Sequence, residues 1–130
     1  MALELKKDIL SILVVDDEES MRDLFERLFK GEGFSLDTAE DGAKAIEKVK
    51  INEYDIAFID IVMPGINGYM AFCEMKKISP NLKTVMITGY SEESIIKACL
   101  KEGAYACLHK PFYLDTLFDI IEKIKSERSD

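Results

Sequence analysis

Five residues are of types that could share one piece of chemistry. They are the acid pair Asp16 and Asp17 in "ILVVDDEES", Asp60 in "FIDIVMPG", Thr88 in "VMITGY" and Lys110 in "HKPF". Three clustered carboxylates repel one another unless a cation neutralises them. Hard oxygen ligands with room for water suit Mg2+. An ammonium and a hydroxyl across the same pocket suit a phosphoryl group. One carboxylate could then act as a nucleophile and form an acyl phosphate. Taken singly, each residue has a plainer role. An Asp pair after a strand commonly caps a helix, a Thr caps a strand end, a Lys is a solvated charge, and "DIVMPG" is a turn. The chemistry therefore depends on a fold that brings the five together.

The elements needed for that fold alternate along the chain. "SILVV" (11–15), "DIAFI" (55–59) and "TVMIT" (84–88) are short apolar runs that read as buried strands, and "AYACLH" (104–109) reads as the last strand. "FSLDTA" (34–39) alternates apolar and polar residues, as a half-exposed edge strand does. Helical stripes lie between them. Met21, Leu24, Phe25, Leu28 and Phe29 form the first, stopped by Gly31 and Gly33; Leu114, Leu117, Phe118, Ile121 and Ile124 form the last. "DGAKAIEKVK" predicts a helix with Asp41 near its cap, and a further helix follows the turn-rich "MPGING" (63–68) and ends before Pro80. A fourth is expected from about 91 to 102, ending at Gly103. Glu18 and Glu19 are expected to begin the first helix, where acids favour the helix dipole. Five βα units with continuously apolar strands predict an α/β fold, a five-stranded doubly wound parallel sheet covered on both faces. The edge character of the second strand fits the flavodoxin-like order 2-1-3-4-5, whose ligands bind beyond the carboxyl ends of the strands. All five residues named above stand at such ends.

Composition agrees with a single domain of 130 residues. Lys plus Arg number 17 against 25 Asp plus Glu, a net charge of −8, which argues against direct nucleic-acid binding and toward cations or basic partners. No apolar run is long enough to span a membrane, and "MALELKKDIL" is not a secretory signal. Cys73, Cys99 and Cys107 are odd in number and lie in apolar contexts, so they are expected to be reduced core residues of a cytoplasmic protein. His109, the only histidine, is expected to face solvent beside the site.

The ordered set "VVDDE", "FIDIVMPGINGY", "VMITGY" and "HKPF" resembles the receiver domain of two-component response regulators, with its chemotaxis-regulator-like fold, over roughly residues 11 to 125. The resemblance implies a leader at residues 1–10, the receiver domain at 11–127 and a tail at 128–130. It implies a phosphorylation-activated switch of a phosphorelay, with Asp60 as the phosphoacceptor. Asp17 and Asp60 would coordinate Mg2+ directly together with the backbone carbonyl of Val62, and Asp16 would act through a bound water. Thr88 and Lys110 would contact the phosphoryl oxygens, and the Lys110–Pro111 bond would be cis. The donor would be a sensor histidine kinase or a phosphotransfer protein. Such a chain is a switch and not an enzyme, apart from catalysing its own phosphorylation and dephosphorylation. Two other readings are a receiver-like module that is never phosphorylated and a phosphatase with an aspartyl-phosphate intermediate. The intact acid set speaks against the first. Val62 speaks against the second, because such phosphatases carry a second Asp there.

The chain departs from the family pattern at Cys107, three residues before the lysine, where an aromatic residue is usual. A thiol cannot fill an aromatic-sized space. Tyr105 lies two residues earlier, on what alternation makes the same strand face. Signal transmission is therefore expected to pass through the loop after Thr88, where Gly89 and Ser91 can adjust the backbone, and Gly89→Val is expected to crowd the site. Val62 and Tyr90 are expected to overhang the phosphoryl group and slow its hydrolysis. On the fourth helix, Ile95, Ala98 and Cys99 are expected to face the sheet. Ile96 and Leu100 are expected to be exposed and to form, with Tyr105, an apolar patch on the helix 4–strand 5–helix 5 face. A downstream protein or an attached effector domain would dock there.

Overall fold

The computed structural model describes residues 9–89 and 93–128. Tyr90, Ser91, most of the expected leader and the end of the expected tail lie outside the described residues. The strands are β1 (Leu10–Val15), β2 (Phe34–Ala39), β3 (Ile56–Asp60), β4 (Lys83–Thr88) and β5 (Ala106–His109). The helices are α1 (Glu19–Leu28), α2 (Gly42–Ile51), α3 (Gly68–Ile78), α4 (Glu93–Lys101) and α5 (Leu114–Arg128). The sheet order is β2-β1-β3-β4-β5, and every pairing is parallel.

Strand burial follows the apolar pattern. All of β3 is buried, and so is β4 after Lys83. In β2, Ser35 and Asp37 are exposed while Phe34, Leu36 and Thr38 are half-buried, as an edge strand requires. Alternate residues of the central strands feed two cores. Leu13, Val15, Ala57, Ile59 and Met86 meet Ala45 and Val49 of α2, Phe72 and Met75 of α3, and Ile96 and Cys99 of α4. On the other face, Ile12, Val14, Phe58, Val85, Ile87 and Leu108 meet Phe25 of α1 and Leu117, Ile121 and Ile124 of α5. The rings of Phe25 and Phe58 lie 5.1 Å apart at the centre of this second core. Burying both faces of the sheet is the main force that holds the strand ends in one plane.

Local chemistry sets the helix starts. The Asp41 side chain accepts from the Lys44 N–H, as its expected cap role requires. Asn67 does the same for Met70, so "NG" in "MPGING" is a helix cap and first residue, not only a turn.

Three expectations need correction. Ile96 is buried, at 7% exposure, whereas Leu100 is 44% exposed. On α4, Cys99 is buried and Ile95 packs half-buried against the first core as expected, but Ile96 is buried too, which the expected stripe of Ile95, Ala98 and Cys99 left outside. Tyr105 precedes β5, so strand alternation does not govern it. It packs in the second core, while Cys107 packs against the first. Its hydroxyl donates to Glu127 of α5 at 2.9 Å. The expected patch of Ile96, Leu100 and Tyr105 is therefore absent, and Leu100 is its one well-exposed member. A Cβ built on Gly89 meets nothing within 4 Å among the described residues. The cysteines are free, with Cys99 buried and Cys73 and Cys107 half-buried, and His109 is exposed.

Candidate functional site

The register places the five residues at one edge of the sheet. Val15, the last residue of β1, pairs with Ile59, and Asp60 at the end of β3 pairs with Ile87. Thr88 pairs with His109, directly before Lys110. The Lys110 N–H donates to the Thr88 carbonyl at 2.6 Å, and the Lys110–Pro111 bond is cis, as expected.

The acids converge. Asp16, Asp17 and Asp60 each bring one carboxylate oxygen to within 4.8 Å of the others. Asp16 and Asp60 are buried, whereas Asp17 is exposed. Lys110 Nζ lies 3.5 Å from Asp60 Oδ2, 3.6 Å from Asp16 Oδ2 and 3.7 Å from Glu18 Oε1. Asp16 Oδ1 accepts the Glu18 N–H at 2.9 Å, but Asp16 Oδ2 is buried with no hydrogen-bond partner. Asp60 Oδ1 accepts the Val62 N–H at 3.2 Å. Thr88 is fully buried at the end of β4.

Burial pushes the Asp60 carboxyl up to about 6, and the neighbouring Asp16 charge adds to the effect. Asp16 is also raised, chiefly by burial, against the pull of the Glu18 N–H and Lys110. For Lys110, burial works to lower its value, but Asp60, Asp16 and Glu18 together outweigh it and raise it. A raised acid disfavours its charge, and a raised lysine favours its charge. The acids are raised chiefly by burial, and the lysine by the negative charge gathered around it. The site has oxygen donors, surplus negative charge and, in Asp16 Oδ2, a buried carboxylate oxygen that Lys110 approaches but no hydrogen bond satisfies. These features fit a hard divalent cation.

Three contributors were not anticipated. Glu18 joins the Lys110 network, Arg22 donates to the Asp16 carbonyl at 2.7 Å, and Gly68 sits against the Asp60 backbone. A Cβ on Gly68 would lie 2.2 Å from the Asp60 carbonyl oxygen, so only glycine lets α3 approach the site this closely. The "NG" pair could have signalled a cap, but no sequence pattern announces the reach of Glu18 or Arg22. Beside the site runs a groove of about 490 Å³ lined by Glu18, Met21, Leu24, Lys110, Phe112 and Leu114 among others.

A doubly wound sheet whose strand ends gather three carboxylates and an ammonium, with a buried threonine at the next strand end, has the make-up of a phosphorylation-activated signalling domain. The chain belongs to the response regulator receiver domain family, which it matches over residues 12–122. It is 34% identical over 113 residues to the chemotaxis protein CheY of Halobacterium salinarum, covering 87% of this chain and 94% of that protein. Its fold superposes on a CheY-like response regulator receiver domain protein from Methanospirillum hungatei with a TM-score of 0.87 at 26% identity, over 93% of this chain and 97% of that one. It also superposes on the CheX–CheY–BeF3–Mg2+ complex from Borrelia burgdorferi with a TM-score of 0.81 at 29% identity, over 88% of each chain. The chain is thus a two-component signalling domain of the phosphorylation-activated class. Among the described residues, no helix is long and apolar enough to cross a membrane.

Proposed function

We propose that Asp60 is the residue that takes the phosphoryl group. The reading rests on one observation: Asp16, Asp17 and Asp60 share a cluster 4.8 Å across, with Lys110 Nζ 3.5 Å from Asp60 Oδ2. Asp17 and Asp60, with the Val62 carbonyl, would hold Mg2+ directly, and Asp16 would do so through a water. When bound, Mg2+ supplies charge neutralisation for the carboxylates and for the transferring phosphoryl group. Asp60 Oδ attacks phosphorus, a new P–O bond forms, and the donor's P–N bond breaks, releasing the donor imidazole. Lys110 and the Thr88 hydroxyl stabilise the equatorial oxygens. Buried walls at β1, β3 and β4 limit water around the acyl phosphate.

The donor in this reading is a histidine kinase or phosphotransfer protein, in a cytoplasmic setting. A downstream protein or effector domain would read the α4–β5–α5 face, with Leu100 as its exposed apolar contact. The domain turns over only its own phosphoryl group. Intact-mass measurement after acetyl phosphate with Mg2+ tests the assignment. One added phosphoryl group is expected on the natural chain, none on Asp60→Asn and none in EDTA. Equal labelling of the natural chain and Asp60→Asn would sink it.

A further inference from the structure

Glu18 occupies the N-cap of α1, with φ −88° and ψ 120°, yet its side chain makes no capping hydrogen bond. Asp, Asn, Ser and Thr are the residues that cap well, and here Asp16 already accepts the Glu18 N–H at 2.9 Å. The Glu18 carboxylate is turned to Lys110 instead, 3.7 Å from Nζ. It is not needed to hold the lysine, because Asp16 and Asp60 are buried and lie 3.6 and 3.5 Å from the same atom. What Glu18 adds is a negative charge on the rim of the site, with its side chain 61% exposed. That rim is also the lip of the groove, whose other walls are largely apolar: Met21, Leu24, Pro111, Phe112 and Leu114.

We infer that Glu18 selects the phosphodonor. Its charge works against small dianionic donors and less against a phosphorylated imidazole. The inference rests on Asp60 being the acceptor. Acetyl phosphate brings two negative charges past Glu18 and leaves as acetate when its P–O bond breaks. A phosphoimidazole breaks a P–N bond, and its protonated ring offsets part of the phosphoryl charge before it leaves. Repulsion between one charge and two at the 5–7 Å scale of such a pocket, partly screened, corresponds to roughly three- to tenfold in rate at low salt.

The test compares second-order rates of labelling by intact mass, with Mg2+, for the full chain and its Glu18→Gln and Glu18→Lys variants. The donors are acetyl phosphate and N-phosphoimidazole, at low salt and at about 1 M salt, where the screening length is about 3 Å. With acetyl phosphate at low salt, Glu18→Gln is expected to label about three- to tenfold faster than the natural chain, and Glu18→Lys faster still. The gain should fall below about twofold at high salt and be smaller with N-phosphoimidazole. Glu18→Gln should melt close to the natural chain. The inference is overturned by unchanged or slower acetyl phosphate rates, by equal gains with both donors, or by gains insensitive to salt. A lowered melting temperature for Glu18→Gln would also overturn it, since Glu18 would then act through the helix start. If the natural chain takes no label from either donor, the acceptor assignment falls and this inference with it. Labelling that is equal in all three chains removes only the role of Glu18.

Discussion

Replacing Asp60 with asparagine should stabilise the metal-free domain at neutral pH, by an amount that changes with pH. The Asp60 side chain is 6% exposed, so solvent screens it little. Burial, followed by the charge of Asp16, holds its carboxyl at about 6 against an ordinary 3.8. The folded domain therefore binds this proton more tightly than the unfolded chain does. Between about pH 4 and pH 6 the unfolded chain has lost the proton while the folded domain still holds it, so stability falls as pH rises. Above about pH 6 to 7 the loss is complete. At about 1.4 kcal/mol per pH unit of displacement it amounts to roughly 2–3 kcal/mol. The attraction of Lys110 is already contained in that value, because it pulls the carboxyl down. Asparagine resembles the protonated acid in size and charge. The stability difference between Asp60→Asn and the natural chain should thus be near zero at about pH 4 and reach roughly 2–3 kcal/mol by about pH 7. Urea denaturation in EDTA across this range measures it. Added Mg2+ should narrow the gap, because a cation held by the three carboxylates stabilises mainly the natural chain. A difference that is flat with pH, or a variant less stable at pH 7, would show that Asp60 does not carry a disfavoured charge.

Three further outcomes follow from single contacts. Gly68→Ala sets a Cβ 2.2 Å from the Asp60 carbonyl oxygen and 2.6 Å from the Ile61 Cα; the overpacking should cost about 1–3 kcal/mol and slow labelling, and a variant matching the natural chain in both melting and labelling would contradict it. Thr84 Oγ1 is buried without a hydrogen-bond partner, so Thr84→Val should raise stability by about 1 kcal/mol in urea denaturation, whereas a loss would show that the hydroxyl is satisfied. Val62 is 60% exposed beside Asp60 and cannot orient an attacking water, so the aspartyl phosphate should last on the order of tens of minutes and Val62→Asn should shorten it; decay within seconds in the natural chain would refute this.

The candidate site was legible because it is written in residue types at strand ends. A continuous apolar run implies a strand covered on both faces, and the first polar residue after it stands at the carboxyl edge. That logic reached Asp16, Asp17, Asp60, Thr88 and Lys110 and the order of the five strands. It failed where residue type underdetermines direction. In α4, "ESIIKACLK" is apolar over much of its circumference, so a 3.6-residue period that points Ile95 inward does not show that Ile96 is buried too; packing on the sheet does. Tyr105 was misplaced because alternation holds only inside a strand, and β5 begins at Ala106. Gly68 escaped notice because its role is an absence of atoms next to Asp60. Glu18 and Val62 were hardest to weigh for a different reason: both are exposed, and no core constrains them. The strand ends carry the chemistry that any such domain needs, and burial holds them there. With Asp60 as the proposed acceptor, donor choice and product lifetime would fall to rim residues that can change without disturbing the fold. Receiver domains of one architecture can therefore differ widely in kinetics, and Glu18 and Val62 are where this chain would set its own.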